Sequence, residues 1–312
     1  MIILVTGGAG FIGTNLCLKL LEQGHEIICV DNLMINKYPK INRKNFKFIK
    51  HDVIDFSHVE LTHRYNIHKL DQIYHLACPA SPPIYQRDPL HTINTCIKGT
   101  MNICDIARRF NCPILFTSTS EIYGEPTISP QTESYRGSVN TVGPRSCYDE
   151  GKRLAETILF EFHRMYKVDI KVCRIFNTYG PYLNSKDGRV VSNFVNQILK
   201  GQKVTIYGDG SQTRSFCYVD DLVSGLEKLM NSDITGPVNL GNPTEITILE
   251  LANTIGSLLN VNVQFEYKEL PKDDPTHRCP DISYAKQVLN WEPSVDLKEG
   301  LIKTIEYYSS II

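Results

Sequence analysis

The stretch Thr6-Gly-Gly-Ala-Gly-Phe-Ile-Gly13 decides the fold that this chain is expected to adopt. A short apolar run, Ile2–Thr6, precedes it, and apolar residues at helical spacing follow it over Phe11–Gln23. Glycines at such a strand-to-helix turn let backbone N–H groups approach a pyrophosphate at the start of the helix. The stretch therefore predicts a dinucleotide-binding turn. Its contacts are expected from Gly7, Gly10, Phe11, Ile12 and Gly13.

An acidic residue after the second apolar run makes this interpretation more specific. Asp31 directly follows Ile27-Ile-Cys-Val30 and stands 18 residues after Gly13. A carboxylate there accepts hydrogen bonds from a ribose 2′-hydroxyl and repels a 2′-phosphate, which favours NAD over NADP. The alternative is a glycine-rich turn beside a surface aspartate. Further cofactor contacts are expected from Asn32, Asp52, Val53, Leu76 and Cys78, although Asp52 is equally well interpreted as an exposed loop acid.

The first half of the chain alternates short apolar runs with longer helical patterns, which predicts a parallel sheet covered by helices on both faces. Strands are expected at Ile2–Thr6, Glu26–Val30, Phe46–Lys50, Gln72–Ala77, Ile114–Ser118 and Ile170–Phe176, and helices at Phe11–Gln23, Leu90–Phe110, Tyr148–Tyr166, Ile248–Leu259 and Ser283–Leu289. Loops rich in Gly, Pro, Asn and Asp dominate after about residue 180.

The expected fold class is therefore α/β: a Rossmann-type, doubly wound parallel sheet with a smaller C-terminal α/β substrate domain. The first domain is expected to be NAD-binding and to cover residues 1–180, and the second to cover 181–312 and bind the substrate. A segment near 213–240 is the part of the second domain that is expected to pack back on the first.

Composition narrows the function classes. The 312 residues include 33 basic and 34 acidic side chains, so the net charge of −1 gives no reason to expect nucleic acid or a membrane surface as partner. The ten cysteines form no CxxC pair, which predicts neither a zinc site nor a disulfide framework and favours a reducing compartment. No metal site is expected.

With no apolar stretch of membrane-spanning length and no room for a signal peptide before the glycine turn, we expect a cytoplasmic protein.

A tyrosine and a lysine four residues apart, in Tyr148-Asp-Glu-Gly-Lys152, lie on one face of a predicted helix. A phenol with a pKa near ~10 is a poor base at neutral pH, but a neighbouring ammonium and a positive nicotinamide stabilise the phenolate. Tyr148 can then accept a proton from a sugar hydroxyl while the same carbon loses hydride to NAD. Alone, this pattern usually marks an exposed helix face; the glycine turn in the same domain makes it specific.

Hydroxyls and a carboxylate end the fifth predicted strand, in Thr117-Ser-Thr-Ser-Glu121. The carboxyl edge of an open α/β sheet is where such proteins hold their ligands. Thr119 is expected to bond the reacting hydroxyl, and Glu121 to act as a base or to orient water or substrate. Capping of the strand end by hydroxyls is the simpler alternative, and it suits Ser118 best.

These motifs resemble the extended short-chain dehydrogenases/reductases, and within them the UDP-glucuronate decarboxylases, over nearly the whole chain. The stretches that carry the likeness include His75-Leu-Ala-Cys-Pro-Ala-Ser-Pro-Pro83, Ser118-Thr-Ser-Glu-Ile-Tyr-Gly124, Gly143-Pro-Arg-Ser-Cys-Tyr148 and Arg174-Ile-Phe-Asn-Thr-Tyr-Gly-Pro181. The chain departs from the family's usual Lys, Asn, Trp and Arg at Asn94, Cys96, Arg136 and Tyr182 respectively. The changes near Asn94 concern substrate contacts and leave Tyr148 and Lys152 untouched.

The resemblance implies a bound NAD, a UDP-sugar substrate and a homodimer with an interface made by helices around Leu90–Phe110 and Ser146–Tyr166. It makes Tyr148 and Lys152 the oxidation pair, with Thr119 and Glu121 beside the sugar. Arginine's fork suits phosphate and carboxylate, although a single arginine is more often part of a surface ion pair. The substrate contacts that the resemblance implies are Asn177, Arg189, Arg214 and Arg278.

The implied reaction is oxidation of UDP-glucuronate at C4, loss of carbon dioxide from the 4-keto acid and re-reduction to UDP-xylose. Nucleotide-sugar 4,6-dehydratases are the nearest alternative, but they typically have Asp where this chain has Ser120, and a serine is too weak an acid to protonate a departing hydroxyl. A 4-epimerase also stays open, and a UDP-apiose synthase is less favoured. Outside the enzymes, an NAD-binding sensor or scaffold is the alternative, although such proteins usually lose the tyrosine or the lysine.

Overall fold

A parallel sheet of seven strands forms the centre of the computed structural model, which describes residues 1–36, 41–269 and 278–312. The strands of this part of the chain are β1 (Ile2–Thr6), β2 (Glu26–Asp31), β3 (Phe46–Lys50), β4 (Gln72–His75), β5 (Ile114–Thr119), β6 (Ile170–Ile175), β7 (Thr178–Tyr179), β8 (Val204–Tyr207), β9 (Thr213–Ser215), β10 (Cys217–Tyr218), β11 (Val238–Leu240), β12 (Glu245–Thr247) and β13 (Phe265–Lys268). The central sheet has the order β11-β6-β5-β4-β1-β2-β3, so its direction of growth reverses between β1 and β4. This order confirms the Rossmann-type doubly wound α/β fold.

Ten α-helices accompany the strands in the described ranges: α1 (Phe11–Glu22), α2 (Pro82–Tyr85), α3 (Pro89–Asn94), α4 (Thr100–Phe110), α5 (Ser146–Tyr166), α6 (Val190–Leu199), α7 (Val219–Met230), α8 (Ile248–Leu258), α9 (Ser283–Leu289) and α10 (Leu297–Ser309). Two π-helical turns (Glu60–Arg64 and Thr95–Gly99) and a 3₁₀ turn (Ser120–Tyr123) complete the helical segments of these ranges.

The central sheet is covered on both faces, which explains why its strands are apolar without alternation. Ile3 and Val5 of β1 belong to a core that includes side chains of α1 and α7, whereas Leu4 belongs to a second core with α4 and α5. All three side chains are fully buried. Successive residues of one strand therefore stabilise two different layers of helices, as side chains that alternate between the two faces must.

The predicted helix over Leu90–Phe110 is interrupted in the structure. Its residues form α3, a π-helical turn at Thr95–Gly99 and α4. At this turn Gly99 packs closely against Val53, in the loop that follows β3. A Cβ added to Gly99 would lie 2.7 Å from a methyl carbon of Val53. A π turn holds one extra residue, which apolar spacing over a long window does not reveal. The ends of β4 and β6 also differ from the prediction, since both strands stop short of Ala77 and Phe176.

The second half of the chain contributes small two-stranded sheets and one strand of the central sheet. The parallel pair β8–β13 and the antiparallel pair β9–β12 flank α8, whose start is held by a capping box between Thr247 and Glu250. In contrast, β11 runs parallel to β6 at the edge of the central sheet. The central sheet thus includes residues from beyond position 180, while the division into domains at that position stays a prediction.

Candidate active site

One cavity of about 590 Å³ lies at the carboxyl ends of the central strands. Its walls include every residue predicted to bind the cofactor, to bind the substrate or to act in catalysis: Gly7, Gly10, Phe11, Ile12, Gly13, Asp31, Asn32, Asp52, Val53, Leu76, Cys78, Thr119, Ser120, Glu121, Tyr148, Lys152, Asn177, Arg189, Arg214 and Arg278. The cavity opens beside the point where the strand order reverses, which is where open α/β sheets bind their ligands. The structure therefore brings the predicted cofactor, catalytic and substrate residues together; their roles stay predictions.

The glycine turn is shaped so that its backbone, not its side chains, faces the cavity. Gly7 has a φ of +70°, and a Cβ added there would lie 2.8 Å from the backbone nitrogen of Ala77. A Cβ on Gly13 would lie only 2.2 Å from the carbonyl oxygen of Gly7. The first residue of α1 is Phe11, and the Gly10 before it supplies no side-chain cap. The N-terminal N–H groups of α1 thus face a cradle that fits a pyrophosphate.

Asp31 is held at the end of β2 by backbone donors. Its carboxylate accepts hydrogen bonds from Ala9 N at 3.1 Å and from Leu33 N at 2.8 Å. Burial raises the pKa of Asp31, and these two hydrogen bonds oppose that shift. The cradle and this fixed carboxylate suit the pyrophosphate and the adenosine ribose of NAD.

Asp52 lines the cavity as a bonded group. Its carboxylate accepts a hydrogen bond from Asn32 Nδ2 at 2.7 Å and another from Ile54 N at 3.0 Å. The ring nitrogen Nε2 of His91 lies 3.5 Å from the same carboxylate. Asp52 therefore links the loops that follow β2 and β3 and fixes the wall of the cavity where an adenine ring is expected.

Tyr148 and Lys152 come from the first two turns of α5 and are both buried. The ring of Tyr148 stacks on that of Tyr85, with centroids 5.1 Å apart and planes 3° from parallel. Lys152 Nζ donates to Thr117 O at 2.7 Å and lies 6.0 Å from the centroid of the Tyr148 ring. The two side chains thus share the cavity wall beneath the end of β5.

The pKa of Tyr148 in this structure lies well above its ordinary value, not below it. Burial is the largest cause, the charge of Cys78 adds to it, and the hydrogen bond with Thr119 opposes it. Lys152 therefore does not produce a phenolate by itself. Formation of the phenolate needs a further positive charge in the cavity, such as that of an oxidised nicotinamide.

Glu121 is clamped between two arginines. Its carboxylate accepts from both Nη atoms of Arg278, one at 2.9 Å, and from Arg145 Nη2 at 2.7 Å. Burial alone raises the pKa of Glu121, but the charges of Arg278 and Arg145 and their hydrogen bonds hold it at about 2. A carboxylate with so low a pKa is a weak base, so the geometry favours the orienting role among the two roles expected for Glu121.

Three further polar residues for which substrate contacts are predicted line the same cavity. Asn177 follows β6, and Arg214 in β9 donates from Nη1 to the carbonyl oxygen of Thr213 at 2.8 Å. Arg189 precedes α6 and forms an ion pair with Asp187, with Nε 2.9 Å from Oδ2. Arg189 and Arg214 both come from beyond position 180, whereas Asn177 comes before it.

Sequence reasoning missed Arg145 and Asp187, which line the cavity, and Asp149, a buried carboxyl within range of the charges of Glu121 and Arg145. Arg145 stands three residues before Tyr148 in the quoted Gly143-Pro-Arg motif, so its place at the start of α5 was available as a signal. Asp149 is 7% exposed, and burial, with the charge of Glu121, raises its pKa to about 7. No local pattern marks Asp187 as a partner of Arg189.

Among the described residues, no helix combines the length and the apolar character that crossing a bilayer requires. Within residues 1–36, 41–269 and 278–312, no three His, Cys, Asp or Glu side chains are grouped so that they can hold a metal ion.

The doubly wound sheet, the glycine cradle and the Tyr–Lys pair on α5 define a nucleotide-cofactor protein of the short-chain dehydrogenase/reductase type. The chain belongs to the NAD dependent epimerase/dehydratase family, whose model matches residues 3–241.

Relatives of known name make the class of protein more specific. The chain is 52% identical over 306 residues to UDP-glucuronic acid decarboxylase 6 of Arabidopsis thaliana, with 96% of this chain and 87% of that protein covered. It is 50% identical over 311 residues to UDP-glucuronic acid decarboxylase 1 of Danio rerio, covering 98% of this chain and 72% of that protein.

Solved structures share the whole fold. UDP-glucose 4-epimerase of Thermotoga maritima, determined with UDP-glucose, superposes with a TM-score of 0.92 at 32% identity and covers 100% of this chain and 99% of its own. UDP-glucuronic acid 4-epimerase of Bacillus cereus, in complex with UDP-glucuronic acid and NAD, has a TM-score of 0.88 at 26% identity, with both chains covered completely.

Proposed function

We propose that this protein is an NAD-dependent UDP-glucuronate decarboxylase that forms UDP-xylose. The observation that carries the proposal is the set of side chains that meet in one cavity: the Tyr148–Lys152 pair, and Ser120 next to an arginine-bound Glu121. Relatives named as UDP-glucuronic acid decarboxylases, about half identical to the chain over nearly its full length, support the same substrate and reaction.

The first step removes the proton of the sugar C4 hydroxyl. Tyr148 is the base, and Thr119, which shares a hydrogen bond with it, orients the hydroxyl. NAD held by the glycine turn and Asp31 would supply the hydride acceptor for C4 and the source of the hydride that returns. Lys152, whose Nζ donates to Thr117 O, would hold its ammonium beneath Tyr148 and could donate a further hydrogen bond to the nicotinamide ribose of bound NAD.

Decarboxylation follows from the ketone. With a carbonyl at C4, the C5 carboxylate is a β-keto acid, so carbon dioxide leaves while its electron pair is delocalised into the C4 carbonyl. Tyr148, protonated after the first step, and Thr119 stabilise the resulting enolate by hydrogen bonds. Because the pKa of the buried Tyr148 is high, its proton stays available for this electrostatic role.

Arg278 is the proposed partner of the substrate carboxylate. In this structure Glu121 binds its guanidinium, and Arg145 holds the other side of Glu121. Arginine has five N–H donors, so Arg278 can keep one contact to Glu121 while it binds the incoming carboxylate. Loss of carbon dioxide then moves the negative charge from the carboxylate bound by Arg278 to the enolate oxygen at C4. Uptake of a solvent proton at C5 regenerates the C4 ketone, which is then reduced.

Ser120 separates this proposal from the nearest alternative. Dehydration needs an acid that protonates the departing C6 hydroxyl, and a buried serine cannot supply one. A 4-epimerase is favoured by one observation, the close fit to the epimerase structures, but that fit concerns the fold as a whole.

Product analysis tests the proposal. Purified protein is incubated with UDP-glucuronate without added NADH, and carbon dioxide and the nucleotide sugars are followed over time. UDP-xylose and carbon dioxide in equal amounts are expected. UDP-galacturonate without carbon dioxide makes the protein a 4-epimerase, and a 4-keto-6-deoxy sugar from UDP-glucose, with UDP-glucuronate inert, makes it a dehydratase. Binding of NAD with no turnover of any nucleotide sugar supports the sensor or scaffold alternative.

We also propose a cytoplasmic homodimer. Large apolar side chains stay exposed on the helices named for the interface, among them Leu90, Met101 and Leu154. Burying such a surface against a second copy is favourable, and a twofold dimer is the commonest closed assembly. The ten free cysteines suit a reducing compartment. Sedimentation of the purified protein tests the dimer, since a monomer at micromolar concentration is inconsistent with it.

A further inference from the structure

Two thiols contact each other at the edge of the active-site cavity. Cys78 Sγ lies 3.4 Å from Cys96 Sγ. Cys78 belongs to the loop after β4 and lines the cavity, whereas Cys96 lies in the π-helical turn behind it and is buried. We call Cys78 and Cys96 the active-site dithiol. A small molecule in the cavity can therefore reach one sulfur of a pair that is already in contact.

We propose that the active-site dithiol is a modification site, at which hydrogen peroxide converts Cys78 and Cys96 to a disulfide and reversibly stops turnover. This inference goes beyond the decarboxylation proposed above and concerns thiol chemistry alone.

The local charges make Cys78 the reactive sulfur. Burial opposes ionisation of Cys78, but the hydrogen bond with Cys96 and the ammonium of Lys152 lower its pKa below the ordinary value. For Cys96, the hydrogen bond to Cys78 and burial raise the pKa. Of the two sulfurs in contact, the cavity-lining Cys78 is therefore the one that ionises more readily to the thiolate, which is the nucleophilic form.

A second thiol pair in the same molecule lacks these features. Cys17 and Cys29 share a hydrogen bond beneath the glycine turn, but both are fully buried. The contact with Cys17 and burial raise the pKa of Cys29. Closeness alone thus does not make a thiolate; the open cavity and the Lys152 ammonium distinguish the active-site dithiol.

The oxidation balances without any further reagent. The Cys78 thiolate attacks one peroxide oxygen, the O–O bond breaks, and the leaving hydroxide takes a proton to become water. Cys96 then attacks the sulfenic sulfur, and the departing hydroxide takes the proton of Cys96. Two thiols and one hydrogen peroxide give one disulfide and two waters.

Disulfide formation has a mechanical consequence for the catalytic helix. The sulfurs must approach from 3.4 Å to about 2.05 Å. Cys96 packs against α5 at Gly151, where an added Cβ would lie 3.1 Å from Cys96 Sγ. Gly151 directly precedes Lys152, so movement of Cys96 loosens the packing of the turn that carries the oxidation pair. Misplacement of catalytic groups by about 1 Å costs up to about 100-fold in rate.

The test compares wild-type protein with two variants after treatment with a small excess of hydrogen peroxide. Peptide mapping by mass spectrometry without reductant detects a Cys78–Cys96 cross-link, and turnover is measured before and after addition of dithiothreitol. In Cys96→Ser the cross-link cannot form, whereas Cys147→Ser removes a neighbouring half-exposed thiol and leaves the dithiol intact. Cys96→Ala replaces Cys96→Ser if the serine variant fails to fold.

We expect wild-type protein and Cys147→Ser to form the cross-link, to lose turnover at least tenfold as it forms, and to regain turnover with dithiothreitol. In Cys96→Ser no loss that dithiothreitol restores is expected. The inference is overturned if peroxide inactivates Cys96→Ser reversibly to the same extent, if wild-type protein forms no Cys78–Cys96 cross-link, or if the cross-linked protein keeps full activity. Because the cross-link is detected without any UDP-sugar, failure of the proposed decarboxylation is recognised separately; NAD binding then replaces turnover as the readout.

Discussion

Replacing Glu121 by glutamine tests the arginine clamp most sharply. A pKa lowered from 4.5 to about 2 means that folding favours the Glu121 carboxylate over its protonated form by about 3 kcal/mol. Glu121→Gln removes that charge and leaves Arg145 and Arg278 buried without it, and we expect it to lower the free energy of unfolding at pH 7 by about 3 kcal/mol.

The lowered pKa of Glu121 also predicts how its contribution to the free energy of unfolding changes with pH. Since folding lowers the pKa of Glu121, its contribution is complete above pH 4.5 and is lost as the pH falls toward 2. Between pH 7 and pH 3, the stability difference between wild-type protein and Glu121→Gln is expected to shrink by about 2 kcal/mol.

Urea unfolding of both proteins at several pH values measures this difference. Glu150→Gln is the matched control, because Glu150 on α5 also forms an ion pair with an arginine, Arg153, at 3.7 Å, but both side chains are about a third exposed. Its loss is expected to cost less than about 1 kcal/mol. The reasoning is refuted if Glu121→Gln is as stable as Glu150→Gln at pH 7, or if its destabilisation does not change between pH 7 and pH 3.

Three further variants address the chemistry. Tyr148→Phe is expected to lower kcat by about 100- to 10,000-fold while NAD titrations stay unchanged, because only the proton acceptor is lost; a variant with near wild-type kcat contradicts the role of the phenol. Asp31→Ser is expected to weaken NAD binding by about tenfold or more and to raise affinity for NADP relative to NAD, since it removes a charged ribose acceptor; an unchanged NADP/NAD affinity ratio in fluorescence titrations disproves the contact. Ser120→Asp is expected to lose decarboxylation without gaining dehydration of UDP-glucose, because it places a second carboxylate beside the Glu121 charge in a cavity shaped for another reaction; efficient formation of a 4-keto-6-deoxy sugar refutes that expectation.

Local sequence patterns were sufficient to predict the fold and much of the candidate site. The glycine turn lies in one strand–turn–helix unit, Asp31 ends the next strand, and Tyr148 and Lys152 lie on one helix. Over such short distances the sequence spacing fixes the geometry. The parallel strands were recognisable because burial on both faces removes polar alternation. The topological rule for open α/β sheets then placed all these residues at one edge.

Contacts between distant segments were beyond such reasoning. Glu121 and Arg278 are 157 residues apart, and no local feature of either motif reveals that they bond to each other. The π-helical turn at Thr95–Gly99 hides in a continuous helical pattern, yet it places Cys96 against Cys78. The strand β11 lies in the segment near 213–240 that was expected to pack back on the first domain, but a fully buried run of three residues does not identify it from sequence as a strand of the central sheet.

The pKa of Tyr148 shows a different limit. The residue types predicted a phenol with a lowered pKa beside Lys152, whereas the buried environment raises it. Burial acts on the charged phenolate through the whole cavity, which the sequence does not describe, and the cation of a bound cofactor is part of that environment when the enzyme works.

Isotope retention at C4 tests the central claim most directly. UDP-glucuronate that carries deuterium at C4 is converted by the purified protein in ordinary water, and the nucleotide-sugar product is analysed by mass spectrometry and proton NMR. If the hydrogen of C4 leaves as hydride to a nicotinamide held in the cavity and returns to the same carbon, UDP-xylose keeps the deuterium at C4. UDP-xylose with hydrogen from the solvent at C4, or no conversion at all, contradicts the account.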